Sequence, residues 1–158
     1  MSEKHTPEFM GGVQLFSALM GLTLAFKQKF GDEALEVTRG FVEQMGVKMG
    51  NQFKGKAGIT GSGAEYVERV YHAWLDPMIA PYKLGTSVQG HKLTVIRESP
   101  TECPGLVVAK QMNLPLEMVC NNISQPVFTG VAKSVNPKAR FSAVQMSERK
   151  CIETIEIS

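Results

Sequence analysis

The residues able to do chemistry gather in the last third of this chain. Cys103, Cys120 and Cys151 are its three cysteines, and the apolar N-terminal half has none. Three thiols are too few for a disulfide framework, and the odd count leaves at least one unpaired. Cys103 begins a Cys-Pro step. Proline is favoured at the first helical position because its missing N–H would be unpaired there anyway. Cys103 is therefore expected at a helix N-cap, where free donors and the positive dipole end favour thiolate over thiol. Cys120 falls in a helix-like segment, and Cys151 opens a strand-like run. No spacing is a CxxC pattern. Three thiolates meeting in space hold zinc or an iron–sulfur cluster and leave one coordination position open. The competing reading is that each thiol packs inertly, as a small hydrophobe.

Other candidates surround them. Glu117 lies one helical turn before Cys120, positioned to act as general base to a metal-bound water, or to stand solvated. Glu153 shares a strand face with Cys151 and is expected in a surface salt bridge. His91 is a possible fourth ligand or an exposed turn residue. His72 shares the polar side of its helix with Glu65, Glu68, Arg69 and Asp76, as an exposed residue or a ligand to haem or metal. Arg97 and Arg140 suit a substrate carboxylate, which guanidinium binds bidentately. The sequence has no nucleophile elbow, P-loop, dinucleotide fingerprint or CxxCH.

The elements that must position these residues can be read from periodicity. Residues from 8 to about 30 form a helix apolar on most sides, with Phe9, Val13, Phe16, Met20 and Leu24 in one stripe. Leu15, Leu19, Leu22, Phe26 and Phe30 make a second, so the helix is either central or shared with a second subunit. Gly31-Asp32 ends it and caps the next helix, whose inward residues are Ala34, Val37, Phe41, Met45, Met49 and Phe53. Gly40, Gly46 and Gly50 there are read as a close approach to a neighbouring helix. Lys54–Gly63 is a linker or a lid. A third helix turns Val67, Val70, Tyr71, Trp74 and Met78 inward and ends at Pro77 and Pro81.

From Leu84 the period changes. Residues 86–98 read as one strand, with Leu93, Val95 and Arg97 on one face. A helix runs from Cys103-Pro104 to about Asn113, and another from Leu114-Pro115 through Cys120, kinked or restarted at Pro126. Ala139–Met146 and Cys151–Ile157 close the chain as a hairpin. The fold class is α+β: about three helices in an N-terminal layer, then a small antiparallel sheet with two or three short helices. One domain covers 1–158, with 1–7 flexible, 8–83 helical and 84–158 carrying the cysteines.

With 158 residues and a net charge of +2, the chain suits one compact domain. Basic residues are interleaved with acidic ones, which argues against nucleic acid. The apolar run Val13–Phe26 falls short of the ~20 residues of a membrane span. Free thiols without a secretory pattern point to the cytoplasm.

At these residues the sequence resembles the L-2-amino-thiazoline-4-carboxylic acid hydrolase family. The likeness rests on Cys103-Pro104, Leu114-Pro115-Leu116 leading into Cys120, Asn136-Pro137 before a basic strand, and Cys151 in the last strand. Gly31 followed by acidic residues and the glycine-punctuated second helix are also similar. The resemblance covers roughly residues 15–157. That family is similar in turn to vinyl-reductase-associated, haem–nitric-oxide-binding and Golgi-tethering domains, which pair helices with a small sheet. It implies a hydrolase: water adds to the C=N carbon of an aminothiazoline ring and the C–S bond opens. Zinc on Cys103, Cys120 and Cys151 is then the expected metal, with an iron–sulfur cluster as the alternative. Cys103, Glu117 and Cys120 are the catalytic candidates; Arg97, Arg140 and Asn122 are the substrate-binding ones. Where the family has aspartate three positions after the second cysteine, this chain has Ile123, with Asn121, Asn122 or Glu117 nearest to replace it. The last cysteine follows Ser147-Glu148-Arg149-Lys150 and precedes Ile152, in place of a glycine-acid turn and an acidic residue. A non-catalytic binding or sensor module, its apolar pocket lined by Met10, Met20, Met45, Met49 and Met78, is the second reading. The expected partners are a small-molecule substrate and a second copy in a homodimer.

Overall fold

The computed structural model describes residues 5–79, 83–98 and 103–158. Helices α1 (Pro7–Phe30), α2 (Glu33–Lys56) and α3 (Ala64–Ile79) come first. Strands β1 (Lys83–Gln89) and β2 (Lys92–Glu98) come next, then helices α4 (Pro104–Gln111) and α5 (Leu116–Val119). A π-helical turn, Cys120–Ser124, leads into α6 (Gln125–Val135), and β3 (Arg140–Met146) and β4 (Lys150–Glu156) complete the chain. The strands form one antiparallel sheet in the order β1-β2-β4-β3. This is the expected α+β arrangement of helices first and sheet after.

Local chemistry sets the helix ends. The hydroxyl of Thr6 accepts the N–H of Phe9 at 3.1 Å, with Pro7 at the first helical position. Helix α1 therefore begins at Pro7, the last residue of the stretch expected to be flexible, of which residues 1–4 lie outside the described residues. Asp32 occupies the start of α2 without a side-chain cap bond; its carboxylate pairs with Lys27 at 3.1 Å instead. Helix α3 continues past Pro77 to Ile79, because a proline so near the C-terminus removes one intrahelical bond and no more. Pro81 lies outside the described residues.

Helix α2 is rotated from the expected orientation. Ala34, Val42, Gly46 and Gly50 are its buried residues, while Val37 and Phe41 face outward. The cause is its crossing with α6, where Gly46 lies against the Val127 carbonyl and the α-carbon of Gly130. A side chain at either glycine would collide with backbone, so the small face must turn inward. Helix α2 also runs to Lys56, shortening the expected linker, and Ile59 anchors what remains in the core.

The single strand expected over 86–98 is a hairpin. Gly90, at φ 59°, and His91 make a two-residue turn with glycine in its preferred first position. Partners directly opposite across strands share a sheet face. Leu93, Val95 and Arg97 therefore emerge on the side that carries Ile155, Glu153 and Cys151. Leu93, Val95 and Ile155 are fully buried there, each contributing about 1.5–3 kcal/mol by leaving water. An aromatic cluster of Tyr71, Trp74, Phe128 and Phe141 lies against this core. The Tyr71 hydroxyl donates to the Phe128 carbonyl at 2.8 Å.

Candidate functional site: a cavity walled by three thiols

Sulfurs far apart in sequence border one cavity. Cys103, the N-cap of α4, enters from the helix end, its Sγ accepting the Leu106 N–H at 3.3 Å. Cys120 enters where α5 passes into the π-helical turn, and Cys151 enters from β4 opposite Arg97. Phe16 of α1 with Trp74 and Met78 of α3 close the remaining wall, and Met146 of β3 borders it too. The cavity holds about 30 Å³. That is room for an ion or one or two waters, each needing roughly 10–15 Å³.

The π-helical turn is part of this arrangement. The N–H of Gln125 reaches back to the carbonyl of Cys120, one residue beyond the usual helical partner. Such turns re-aim the side chains around them. Here Ser124 and Cys120 both border the cavity, while Ile123 is fully buried in the hydrophobic core.

Arg97 and Glu153 form a buried ion pair on the cavity wall. The Arg97 guanidinium also lies 4.5 Å from the Phe128 ring centroid, a favourable cation–π position. Glu153 is 4 % exposed, and burial raises its carboxyl pKa against the lowering pull of Arg97. The surface salt bridge expected at Glu153 is thus an interior one. Its alternation with Cys151 and Ile155 sets it on the inward face.

Burial favours the protonated form of Cys103 and of Cys120. Burial raises the pKa of Cys103 and outweighs both Arg97 and the Leu106 N–H, which lower it. The cap geometry expected from the sequence is present, but its electrostatic benefit is smaller than the desolvation cost. Burial pushes Cys120 up to about 12, with Cys103 and Cys151 adding to the effect.

Two buried polar atoms on this wall are orphaned. Glu153 Oε2 and Trp74 Nε1 have no hydrogen-bond partner among the described residues. Both residues border the cavity and both are 4 % exposed. Native interiors leave few such atoms, because each costs about 1–3 kcal/mol. The two residues line the cavity while these atoms themselves are shielded from it, so an acceptor and a donor become available where the wall opens.

The remaining candidates lie elsewhere. Glu117 is exposed and does not border the cavity. Asn122 is buried, but its Oδ1 accepts from Arg39 at 3.0 Å and its Nδ2 donates to the Met118 carbonyl at 2.8 Å. Arg140 is exposed beside a shallow groove formed with Lys133 and Lys138. Asn121 is exposed as well, so none of the three residues nearest to Ile123 reaches the cavity. His91 sits in the β1–β2 turn, and His72 is engaged by Asp76 and Thr86. Of the five methionines expected around an apolar pocket, Met78 alone borders this cavity; Met20 is fully buried in the core and Met10 is exposed. Helical periodicity marks Trp74 as a core residue and gives no sign of its place at the site.

Three thiols and a carboxylate are a donor set that suits zinc or an iron–sulfur cluster, and the cavity has room for an ion. Among the described residues, no three His, Cys, Asp or Glu side chains are gathered closely enough to hold a metal. The sulfurs border the space without converging on one point. No protein-family model matches the chain, and no curated protein matches it.

Proposed function

We propose that this protein is a small-molecule hydrolase that opens a heterocyclic, nitrogen- and sulfur-containing acid at its thiol-walled cavity. One observation carries the reading: Cys103, Cys120 and Cys151 border the same buried space as Glu153 and Trp74, whose Oε2 and Nε1 have no hydrogen-bond partner among the described residues. The resemblance to aminothiazoline-carboxylate hydrolases supplies the substrate class. Cys103, Cys120 and Cys151 would be the ligands of a zinc ion there. Bound zinc would supply Lewis acidity and lower the pKa of a water towards ~7.

The protein's own groups have distinct tasks. Glu153 replaces Glu117 as the proton-handling carboxylate, its raised pKa suited to taking and returning a proton. Water adds to the C=N carbon and the C–S bond breaks. The water oxygen stays on that carbon as a carbonyl oxygen; Glu153 passes the first water proton to the ring nitrogen and the second to the departing sulfur. Trp74 Nε1 donates to the developing polar atom. Arg97 fixes Glu153 and holds positive charge near the substrate carboxylate. Met78 and Met146 form the adaptable part of the wall, which must open because the cavity is smaller than any such ring.

The test is elemental analysis of anaerobically purified protein, with aminothiazoline carboxylate hydrolysis measured alongside. About one zinc per chain, lost with activity in Cys103→Ser, is expected. Brown colour and visible absorbance would assign an iron–sulfur cluster instead. Full turnover by metal-free protein overturns the metal-assisted mechanism. Ligand retained in native mass spectrometry without turnover overturns the catalytic reading.

A further inference from the structure

We infer that the outer face of α1 and α2 is a two-fold interface with a second copy of this chain. Seven of the eight large apolar side chains exposed among the described residues lie on these two helices. Leu22, Phe26 and Phe30 line the end of α1, and Val37 and Phe41 face them from α2, all between 51 % and 73 % exposed. Leu15 extends the face along α1, whereas Met10 is exposed on the opposite flank of that helix. Leu15, Leu22, Phe26, Phe30, Val37 and Phe41 together present on the order of 650 Å², the low end of one partner's share of a standard interface and more than the largest patch on a typical monomer.

The surface is shaped to receive its own kind. Two depressions of about 370 and 310 Å³ lie between the ridges, sharing Phe26 and Val37 as their common wall. The same aromatic rings that border them are the projections a second copy would insert. Charge points the same way. Lys27 and Lys29 at the end of α1 lie beside Asp32, Glu33 and Glu36 at the start of α2, and with Lys27 paired to Asp32 inside the chain, Lys29, Glu33 and Glu36 are the charges left to meet a second copy. A rim of one sign would suit an anionic lipid or a nucleic acid. A rim of both signs is complementary to itself when turned by a two-fold axis, Lys29 of one copy meeting acids of the other. Two antiparallel helices from each copy then stack as a four-helix layer.

Helix α1, at 24 residues, is long and apolar enough by length and composition to cross a membrane, longer than the run Val13–Phe26 suggested. Its other face is committed, however. Phe9, Val13, Phe16, Met20 and Thr23 are buried against the rest of the fold, and insertion would strip Phe16 from the thiol cavity.

This inference is independent of the proposed activity. The test is sedimentation velocity of the full chain at micromolar concentration without detergent, comparing wild type with the double variant Phe26→Glu/Phe41→Glu. Wild type is expected as a dimer, with dissociation in the variant strengthened by about 100-fold or more and an unchanged circular dichroism spectrum. Zero-length carbodiimide cross-linking of mixed isotope-labelled and unlabelled wild-type chains needs no variant to fold. It is expected to join Lys29 of one copy to Glu33 or Glu36 of the other. A wild-type monomer, or a folded double variant that remains dimeric without those cross-links, overturns the proposal. So does a chain that stays monomeric in solution and floats with phosphatidylcholine vesicles.

Discussion

Arg97 stands directly opposite Cys151 in the β2–β4 ladder, while Glu153, its ion-pair partner, stands opposite Val95 one inward step along β4. The guanidinium therefore reaches diagonally across the sheet to Glu153. A charge pair that packs against Phe128 and borders a cavity is expensive to desolvate, and a purely structural role would be filled more cheaply by hydrocarbon.

Breaking that pair on one side leaves a buried charge uncompensated. Arg97→Met and Glu153→Leu are each expected to lose about 3–5 kcal/mol of stability, and the double variant to recover most of it. Urea unfolding of the four proteins measures the coupling. Additive losses would show that the two side chains do not act as a pair in solution.

Under the proposed metal site, zinc would have to displace the protons that burial favours on Cys103 and Cys120. Apparent zinc affinity is therefore expected to rise steeply with pH from about 6 to 9, releasing roughly two or more protons per ion. The sign is set by thiols with raised pKa values: lower pH favours the protonated, metal-free form. Competition titration with a chromophoric chelator in two buffers of different ionisation enthalpy reads both quantities. Affinity independent of pH would remove these thiols from the ligand set.

The orphaned indole N–H distinguishes Trp74 from its neighbour Tyr71, whose hydroxyl is satisfied by Phe128. Trp74→Phe relieves an unpaired donor while losing some packing, so its net cost is expected at about 1 kcal/mol or less. Tyr71→Phe strips a made hydrogen bond and costs about 1–2 kcal/mol. Thermal unfolding compares them. A larger loss for Trp74→Phe would mean that its N–H is already engaged.

Glycines on α2 are expected to part company. Gly46→Ala meets the Val127 carbonyl and should cost about 3 kcal/mol or more by forcing the helices apart. Gly40→Ala meets nothing within 4 Å, and should gain about 0.5–1 kcal/mol through helix propensity. Chemical denaturation of both variants decides whether the α2–α6 crossing is as tight as described.

Much of this architecture is legible in the amino-acid sequence. Hydrophobic period distinguishes helices from strands, and Cys103-Pro104 announces a capped helix. Errors arise where a local signal has two readings. The Gly90-His91 pair sits between residues of continuous strand character, so its turn is hidden inside one long run. On α2, Val37 and Phe41 outweigh the glycines in hydrophobicity, though steric access to α6 decides which face turns inward. Glu153 shows the same limit at the site. Its strand face is readable, but its burial depends on α3 and α6 covering that face. Glu117, chosen for its nearness to Cys120 in sequence, is exposed and lies outside the cavity that Cys120 borders, because one turn of helix separates their directions enough to put one in solvent and the other in the core.

The π-helical turn bears on how such a site arises and disappears. Its backbone pattern is that of a single residue added to an otherwise ordinary rod. Removing one codon from 120–124 would restore uniform winding and turn the two arms relative to each other by ~100°. The long arm is clamped by the glycine crossing, so the short one would swing and carry its sulfur out of line. Descendants of this chain can therefore abandon or regain the constellation through one small genetic event while the scaffold persists.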